Sequence, residues 1–326
     1  MCISLPSGFG VSASHAMPDA GLITLPEMED VARRVLSALS SSSQYQHQYL
    51  DQSNSPLTLP PQSSPILSSL PPPLIVDGDT GHGGPSNILR TISSLATAGV
   101  AAVTIEDQTF PKCCTYAAGE GVQVVSRNDA VQRVKAAIAA RDAVICCKGN
   151  GSSSSSSNND FLVVARTDCR AALGLEEAIE RCLKFEEAGA DVVYAENLQS
   201  AEEYMELRER LGRDTSTMLA QVQLYPPGMD GKEGALQQRL FTVEEVGDMG
   251  YNLALFGVTG LQATVQALTN TANAFLDPND GGGTGLVGGG INTNSDYKSK
   301  PSLASFEEMK EVLGFTELED WVSKYR

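Results

Sequence analysis

The sequence has little of what builds imidazole and thiolate metal sites. Its three histidines, His15, His47 and His82, are scattered over 326 residues, and no CxxC pair occurs among seven cysteines. A zinc site is not expected on that ground. Basic residues are also scarce: 23 Lys and Arg against 40 Asp and Glu give a net charge of −17. Such a surface repels phosphate backbones and anionic lipid, so neither nucleic acid nor membrane is expected as a partner. A local cationic pocket for a small anion stays open. No stretch approaches the roughly 18 consecutive apolar residues of a transmembrane helix. The start, Met1–Leu5, has no basic region and no signal-peptide core. Cys2, Cys113, Cys114, Cys146, Cys147, Cys169 and Cys182 include two adjacent pairs and an odd total, a poor disulfide framework. An intracellular reducing compartment is expected, cytoplasm or chloroplast, with no transit peptide visible in this chain.

What is present is a core, 41% hydrophobic residues, interrupted by three segments that read as insertions. Ser40–Pro73 is rich in Ser, Gln and Pro. Lys148–Asp160 carries six consecutive serines, and Asp277–Lys300 carries two Gly triplets. None holds enough apolar surface to order itself, so all three are expected to be mobile. Residues 1–276 then form one domain with insertions near 40–73 and 148–160, followed by a Gly-rich linker over 277–300 and a helical arm over 301–326. In the arm, Phe306, Met309, Val312 and Leu313 make one apolar stripe, and Leu318, Trp321, Val322 and Tyr325 a second. A homo-oligomer, tetramer or dimer, is expected through Ser302–Arg326.

Short apolar runs read as buried strands at Cys2–Leu5, Leu74–Gly78, Ala101–Glu106, Phe161–Thr167, Asp191–Glu196, Met218–Val222 and Leu253–Val258. Helices at 3.6-residue spacing lie between them. Glu27–Leu39 aligns Met28, Val31, Val35 and Leu39. A helix capped by Ser86 turns Ile88, Leu89, Ile92 and Leu95 inward and stops at Gly99. Val131, Val134 and Ile138 form the next stripe, then Leu175, Ile179, Cys182 and Leu183, closed by Gly189. Ser200-x-x-Glu203 and Thr242-x-x-Glu245 are capping-box patterns, and a last helix spans Leu261–Phe275. Strands alternating with helices predict an α/β fold with a parallel sheet. A core of about 250 residues and polar groups drawn from many strands favour a (β/α)8 TIM-type barrel over a doubly wound sheet. Seven strands are counted, so the first strand and helix of the barrel are expected to be missing.

Polar residues collect where strands end: Asp77 and Asp79, then Glu106-Asp107-Gln108, then Arg166-Thr167-Asp168, then Glu196-Asn197. One Asp at a strand end is commonly a helix cap or loop anchor. Four consecutive strand ends bearing acids and an Arg instead describe the mouth of a barrel, where active sites lie. Carboxylates with no imidazole or thiolate partner suit a hard cation, Mg²⁺. His82, among glycines, reads equally as a substrate contact or a solvated loop residue. Cys113 and Cys114 sit in a loop after Glu106, where the preceding Lys112 is expected to lower a thiol pKa.

Together these segments resemble the isocitrate lyase/phosphoenolpyruvate mutase superfamily. Ser7–Ser14 with Pro18–Leu22 resembles its second strand and loop, and Asp77-Gly78-Asp79-Thr80-Gly81-His82-Gly83 its DxDTGYG motif. Glu106-Asp107-Gln108 and Ala165-Arg166-Thr167-Asp168 are equally characteristic. Pro301–Glu308 and Leu313-Gly314-Phe315 look like the plant and algal branch named carboxyvinyl-carboxyphosphonate phosphorylmutase-like or dimethylmalate-lyase-like. The resemblance implies a barrel binding Mg²⁺ and an α-oxo or α-hydroxy acid. It implies Asp77 as the direct metal ligand, with Asp79, Glu106 and Asp19 acting through waters and Asp19 also bordering the substrate. Ser7, Gly8 and Phe9 would hold a substrate carboxylate by hydroxyl and backbone N–H groups. Arg166 would neutralise an enolate, Glu196 would orient substrate or its proton, and Cys114 would be the general acid of the lyase loop, KxCGH.

Thr115 and Tyr116 replace the Gly and His of that loop. Gln221 stands where an Asn is expected, Leu224–Arg239 is rearranged, and no Lys or Arg occurs between Leu253 and Phe275. The last point argues against isocitrate or methylisocitrate as substrate. The leading expectation is a Mg²⁺-dependent C–C lyase or hydrolase acting on a small 2-hydroxy- or 2-oxo-dicarboxylate through an enolate. A phosphonate P–C mutase and a catalytically inactive or truncated barrel are the alternatives.

Overall fold

The computed structural model describes residues 7–49, 72–115, 121–148, 161–222, 240–276 and 323–324. The chain divides into two compact units, Met1–Val258 and Thr259–Arg326. The expected strand Cys2–Leu5, the segment Leu224–Arg239, the linker 277–300 and the arm 301–326, save Ser323 and Lys324, lie outside the described residues.

The first unit opens with α1 (Gly8–Ser14) and α2 (Leu25–Tyr49). Six strands follow: β1 (Ile75–Asp77), β2 (Ala102–Glu106), β3 (Leu162–Thr167), β4 (Val192–Ala195), β5 (Ser216–Gln221) and β6 (Leu253–Phe256). Between them run α3 (Pro85–Ala98), α4 (Arg127–Lys148), α5 (Arg170–Leu173), α6 (Leu175–Ala188), α7 (Ala201–Arg210) and α8 (Val243–Asp248). The second unit contains α9 (Thr259–Leu276), where the sequence predicts Leu261–Phe275.

All strand pairs are parallel, and the order β1-β2-β3-β4-β5-β6 is that of the sequence. A doubly wound sheet reverses its order part-way; this one does not. Alternate residues of a strand face one side. On one side Ile75, Ala102, Val164, Val192, Tyr194, Met218 and Ala220 pack as a single cluster, with Leu253 and Leu255 against it. Residues from all six strands meet there because the sheet curls as a barrel wall does. The opposite parity, Val76, Val103, Ile105 and Val163, joins α2, α3 and α4 in a second cluster. Ala165, Val193, Ala195 and Leu219 join α6 and α7 in a third. Six of the seven expected strands are thus present among the described residues.

Three local expectations change. The helix from Leu25 runs to Tyr49, ten residues into the Ser40–Pro73 segment. No Gly or Pro lies between Glu27 and Ser55, so nothing in the sequence stops it. Likewise α4 ends at Lys148, inside the boundary of the second insertion. The third change is at α3, capped by Gly84 with Pro85 in its first turn rather than by Ser86. Its inward face is Ile88, Thr91, Ile92 and Leu95, while Leu89 is 49% exposed. One residue beyond Ile88 is a rotation of about 100°, which carries Leu89 off the buried stripe.

The stops at Gly99 and Gly189 hold: both take left-handed φ, 95° and 90°, where a side chain is strained. The capping box of Thr242 and Glu245 is complete. At α7, Ser200 accepts from the Glu203 N–H, but the Glu203 carboxylate accepts from Gln199 N–H and Arg170 instead. Tyr204 pins α7 to the sheet: its hydroxyl donates to Ala220 O at 2.7 Å, with Phe241 and Tyr251 packed edge-on. Tyr204→Phe is expected to cost about 1 kcal/mol, read as a lower urea midpoint at unchanged m-value.

Candidate active site

The parity that builds the inner cluster also builds the site. Ile75, Ala102, Val164 and Val192 point inward, and steps of two or four residues along the same strands put Asp77, Glu106, Arg166 and Glu196 at the C-terminal end of the sheet. Asp77, Glu106 and Glu196 are all buried.

Arg166 is the centre. It donates to both oxygens of Asp168, from Nε at 2.8 Å and from Nη2 at 2.7 Å. Its Nε is 3.3 Å from Glu106 Oε2 and its Nη2 3.5 Å from Glu196 Oε2, and its guanidinium carbon is 5.9 Å from the Tyr194 ring centroid. Burial alone would lower the Arg166 pKa; Asp168, Tyr194, Glu106 and Glu196 outweigh it and hold the guanidinium charged.

Asp77 and Asp79 flank a glycine with no room for a side chain. A Cβ on Gly78 would lie 2.8 Å from the Thr104 carbonyl oxygen. Asp77 accepts from the Asp79 N–H at 3.0 Å and the Gly8 N–H at 3.3 Å. Burial opposes its charge, but Lys112, Arg166 and these N–H groups prevail and hold its pKa below the ordinary carboxylate value. Asp79 takes a left-handed φ of 48°, uncommon outside glycine. Burial and the neighbouring Asp77 push its pKa to about 6 despite Lys112.

Lys112 departs most from expectation. Its ammonium is buried and ion-paired to Asp79, with Asp19 Oδ1 at 3.1 Å. A Cβ on Gly8 would come within 2.7 Å of Lys112 Nζ, so the start of α1 rests against this pair. The lysine serves carboxylates rather than a thiol. Burial, followed by Cys114, Asp168, Glu106 and Asp19, pushes the Cys113 thiol up, the reverse of the activation expected from Lys112. Cys113, Cys114, Cys169 and Cys182 are all free thiols.

The start of α1 also differs in detail. Ser7 caps it, accepting from the Gly10 N–H at 3.1 Å. The Gly8 N–H, expected to meet a substrate carboxylate, is given to Asp77. Phe9 follows, half-buried. Gln221 lies on the outward parity of β5, where its amide clamps the backbone N–H and C=O of Phe241 at 2.7 and 2.9 Å. A cavity of about 360 Å³ opens beside the Lys112–Asp79 pair, bounded by Leu22, Leu25, His82, Arg90 and Phe110. Within it His82 Nδ1 is 3.3 Å from Thr91 Oγ1, and burial lowers the ring's pKa below the ordinary imidazole value.

For a divalent cation the decisive observation is Glu106. Both its carboxylate oxygens are buried without a hydrogen-bond partner. Burial raises its pKa well above the ordinary value even beside Arg166 and Lys112. A buried carboxylate that has an ion-pair contact with Arg166 but no hydrogen bond suits a further cation or its waters. Among the described residues no three acidic, imidazole or thiol groups converge as a complete chelating set. Mg²⁺ needs none, since it binds through one or two carboxylates and keeps several waters. The oxygen set of Asp77, Asp79 and Glu106 fits it.

The sequence pattern of phosphoenolpyruvate phosphomutase matches residues 5–276. The chain belongs to that family, within the isocitrate lyase/phosphoenolpyruvate mutase superfamily. It is 33% identical over 271 residues to the 2-methylisocitrate lyase of Aeropyrum pernix, covering 83% of this chain and 68% of the relative. It is 31% identical over 322 residues to the petal death protein of Dianthus caryophyllus, covering 98% and 77%. Among solved structures, oxaloacetate acetylhydrolase with 3,3-difluorooxalacetate superposes with a TM-score of 0.69 at 25% identity, covering 99% of this chain and 84% of that one. Phosphonopyruvate hydrolase with oxalate and Mg²⁺ shares the fold, with a TM-score of 0.64 at 22% identity, covering 99% and 86%. Relatives and structural neighbours of the chain thus carry names of lyases, hydrolases and mutases of small carboxylates. Among the described residues no helix is long and apolar enough to cross a membrane.

Two contributors have no role assigned by the sequence. Lys112 was visible only as a neighbour of the cysteines, and Asp168 only as a strand-end acid. The signal for Asp168 was its place two residues after Arg166, where both side chains reach the same mouth.

Proposed function

We propose that this protein is a C–C bond lyase or hydrolase of small 2-hydroxy- or 2-oxo-dicarboxylates, working through an enolate. The observation that carries the reading is Arg166, held charged among Glu106, Asp168 and Glu196 beside the Cys113-Cys114 segment. A fixed guanidinium in a water-poor site stabilises an oxyanion far more than it could in water. Asp77 and Glu106, with Asp79 alongside, would hold Mg²⁺, which supplies Lewis-acid polarisation of a substrate oxygen.

The chain's own groups then divide the work. Ser7 and Phe9, at the start of α1, and Asp19 border the substrate carboxylate. Glu196 orients the substrate and accepts the hydroxyl proton as the carbinol, or for a 2-oxo substrate the hydrate formed by addition of water, becomes a carbonyl. The bond beside that carbon breaks, and its electron pair passes to the departing carboxylate fragment as an enolate. Arg166 balances that charge. Cys114 returns a proton to the carbon, acting as general acid.

A P–C bond reaction is the competing chemistry within the family, and the cysteine at 114 favours C–C cleavage over it. Incubating the protein and Mg²⁺ with oxaloacetate, 2,3-dimethylmalate and phosphonopyruvate separates the two. Turnover of a C–C substrate is expected. Release of phosphate from phosphonopyruvate, or its rearrangement, with the other two untouched, would replace this reading by the mutase one.

A further inference from the structure

The segment carrying the cysteines is tied down at both ends by side chains from other strand ends. The Cys113 N–H donates to Gln108 Oε1 at 3.0 Å. Gln108 Nε2 reaches Thr115 Oγ1 at 3.5 Å. Thr115 Oγ1 lies 2.5 Å from Asp168 Oδ1. The Cys114 N–H donates to Asp19 O at 3.2 Å. Gln108, Thr115 and Asp168 are all almost fully buried.

The sense of this chain of bonds is fixed. An ionised carboxylate only accepts, and a hydroxyl has one proton. The Thr115 proton therefore goes to Asp168, and its lone pair faces the Gln108 amide, whose oxygen faces Cys113. The route runs from the Cys113 backbone through Gln108 and Thr115 to Asp168, the carboxylate that grips Arg166 with two bonds. Asp168 is itself fixed from behind: its N–H donates to Asp107 Oδ1 at 2.9 Å, and Asp107 is ion-paired to buried Arg181 at 2.9 Å. Thr115 stands where the resembling loop pattern has Gly, which has no hydroxyl to offer.

We propose that Thr115 is a latch: its hydroxyl registers the Cys113-Cys114 segment against the Asp168–Arg166 pair, making it a positioning residue. In water the segment gains little from a single bond. Buried, each broken link strands a polar group, which makes the chain cooperative.

The test uses Thr115→Val, which keeps the shape and removes the hydroxyl, and Thr115→Ser, which restores it. Peptide-resolved alkylation by iodoacetamide is followed at each cysteine of the native protein. Thr115→Val is expected to speed alkylation at Cys113 and Cys114 on the order of tenfold, with Thr115→Ser close to the parent. Cys182, buried within α6 and outside this chain of bonds, is expected to stay slow. Equal acceleration at Cys182 would mean general loosening and would overturn the proposal, as would no acceleration in the Val variant. If that variant does not fold, amide exchange in the parent decides: the Cys113 and Cys114 amides are expected to be protected, and free exchange at both sinks the latch. The catalytic consequence alone rests on the lyase reading: on the best substrate, Thr115→Val is expected to lower kcat with little change in KM, and Thr115→Ser to recover it. A parent without turnover would fail that reading and leave the thiol and exchange results to decide the latch.

Discussion

Replacing Arg166 by Gln is expected to lower turnover by about 10²–10³-fold, the range found when a preorganised oxyanion partner is removed. The same change strips the only described cation within bonding distance of Glu106, Asp168 and Glu196 together. Breaking a buried pair on one side costs about 3–5 kcal/mol, so the variant is also expected to lose stability. Turnover is therefore to be compared per folded molecule, with the folded fraction taken from circular dichroism. Arg166→Lys separates the two effects. It keeps the charge and much of the stability but replaces a planar fork by a point donor, so it cannot hold both oxygens of Asp168 as the guanidinium does. A kcat loss persisting in Arg166→Lys would assign the effect to geometry as well as charge. Turnover by Arg166→Gln close to the parent's would remove Arg166 from the chemistry.

The sequence made the scaffold legible and left the wiring hidden. Strands such as Phe161–Thr167 were readable because a buried parallel strand is a short, nearly continuous apolar run, and the observed Leu162–Thr167 differs by one residue. Gly99 and Gly189 were readable as stops because few residues tolerate left-handed φ. Candidate polar residues were readable from their place at strand ends. What each one touches was not. Arg181 and Asp107 are 74 residues apart, Thr115 and Asp168 53, and Lys112 and Asp79 33. No periodicity encodes such pairings; they exist only once the sheet has brought the strand ends together. Lys112 shows the consequence. Its neighbours in sequence are thiols, while its neighbours in space are carboxylates, so adjacency predicted thiol activation where the fold made an ion pair. The cap of α3 failed for a different reason: Ser86 has the better capping side chain, but Pro85 is best placed in the first turn, and that moves the cap to Gly84.

Cys114→Ala is expected to lower turnover by about 10²–10⁴-fold, the usual contribution of a general acid, while leaving Mg²⁺ affinity unchanged. The second half of that expectation follows from the oxygen set: Asp77, Asp79 and Glu106 include no sulfur, and a hard cation gains nothing from a thiol. Cys113→Ala is expected to be much milder. Its backbone N–H, which the substitution keeps, is the group that Gln108 holds, and its thiol is pushed up by burial and the surrounding carboxylates. The two residues are adjacent in one segment, so a loss caused by loosening of that segment would fall on both variants alike, whereas loss of a proton donor falls on one. Calorimetric titration with Mg²⁺ and steady-state kinetics on the same preparations read both quantities. Equal losses at Cys113 and Cys114, or no loss at either, would reject the role of Cys114; loss at Cys113 alone would transfer the role to the thiol whose N–H is already tied, through Gln108 and Thr115, to the counter-ion of Arg166.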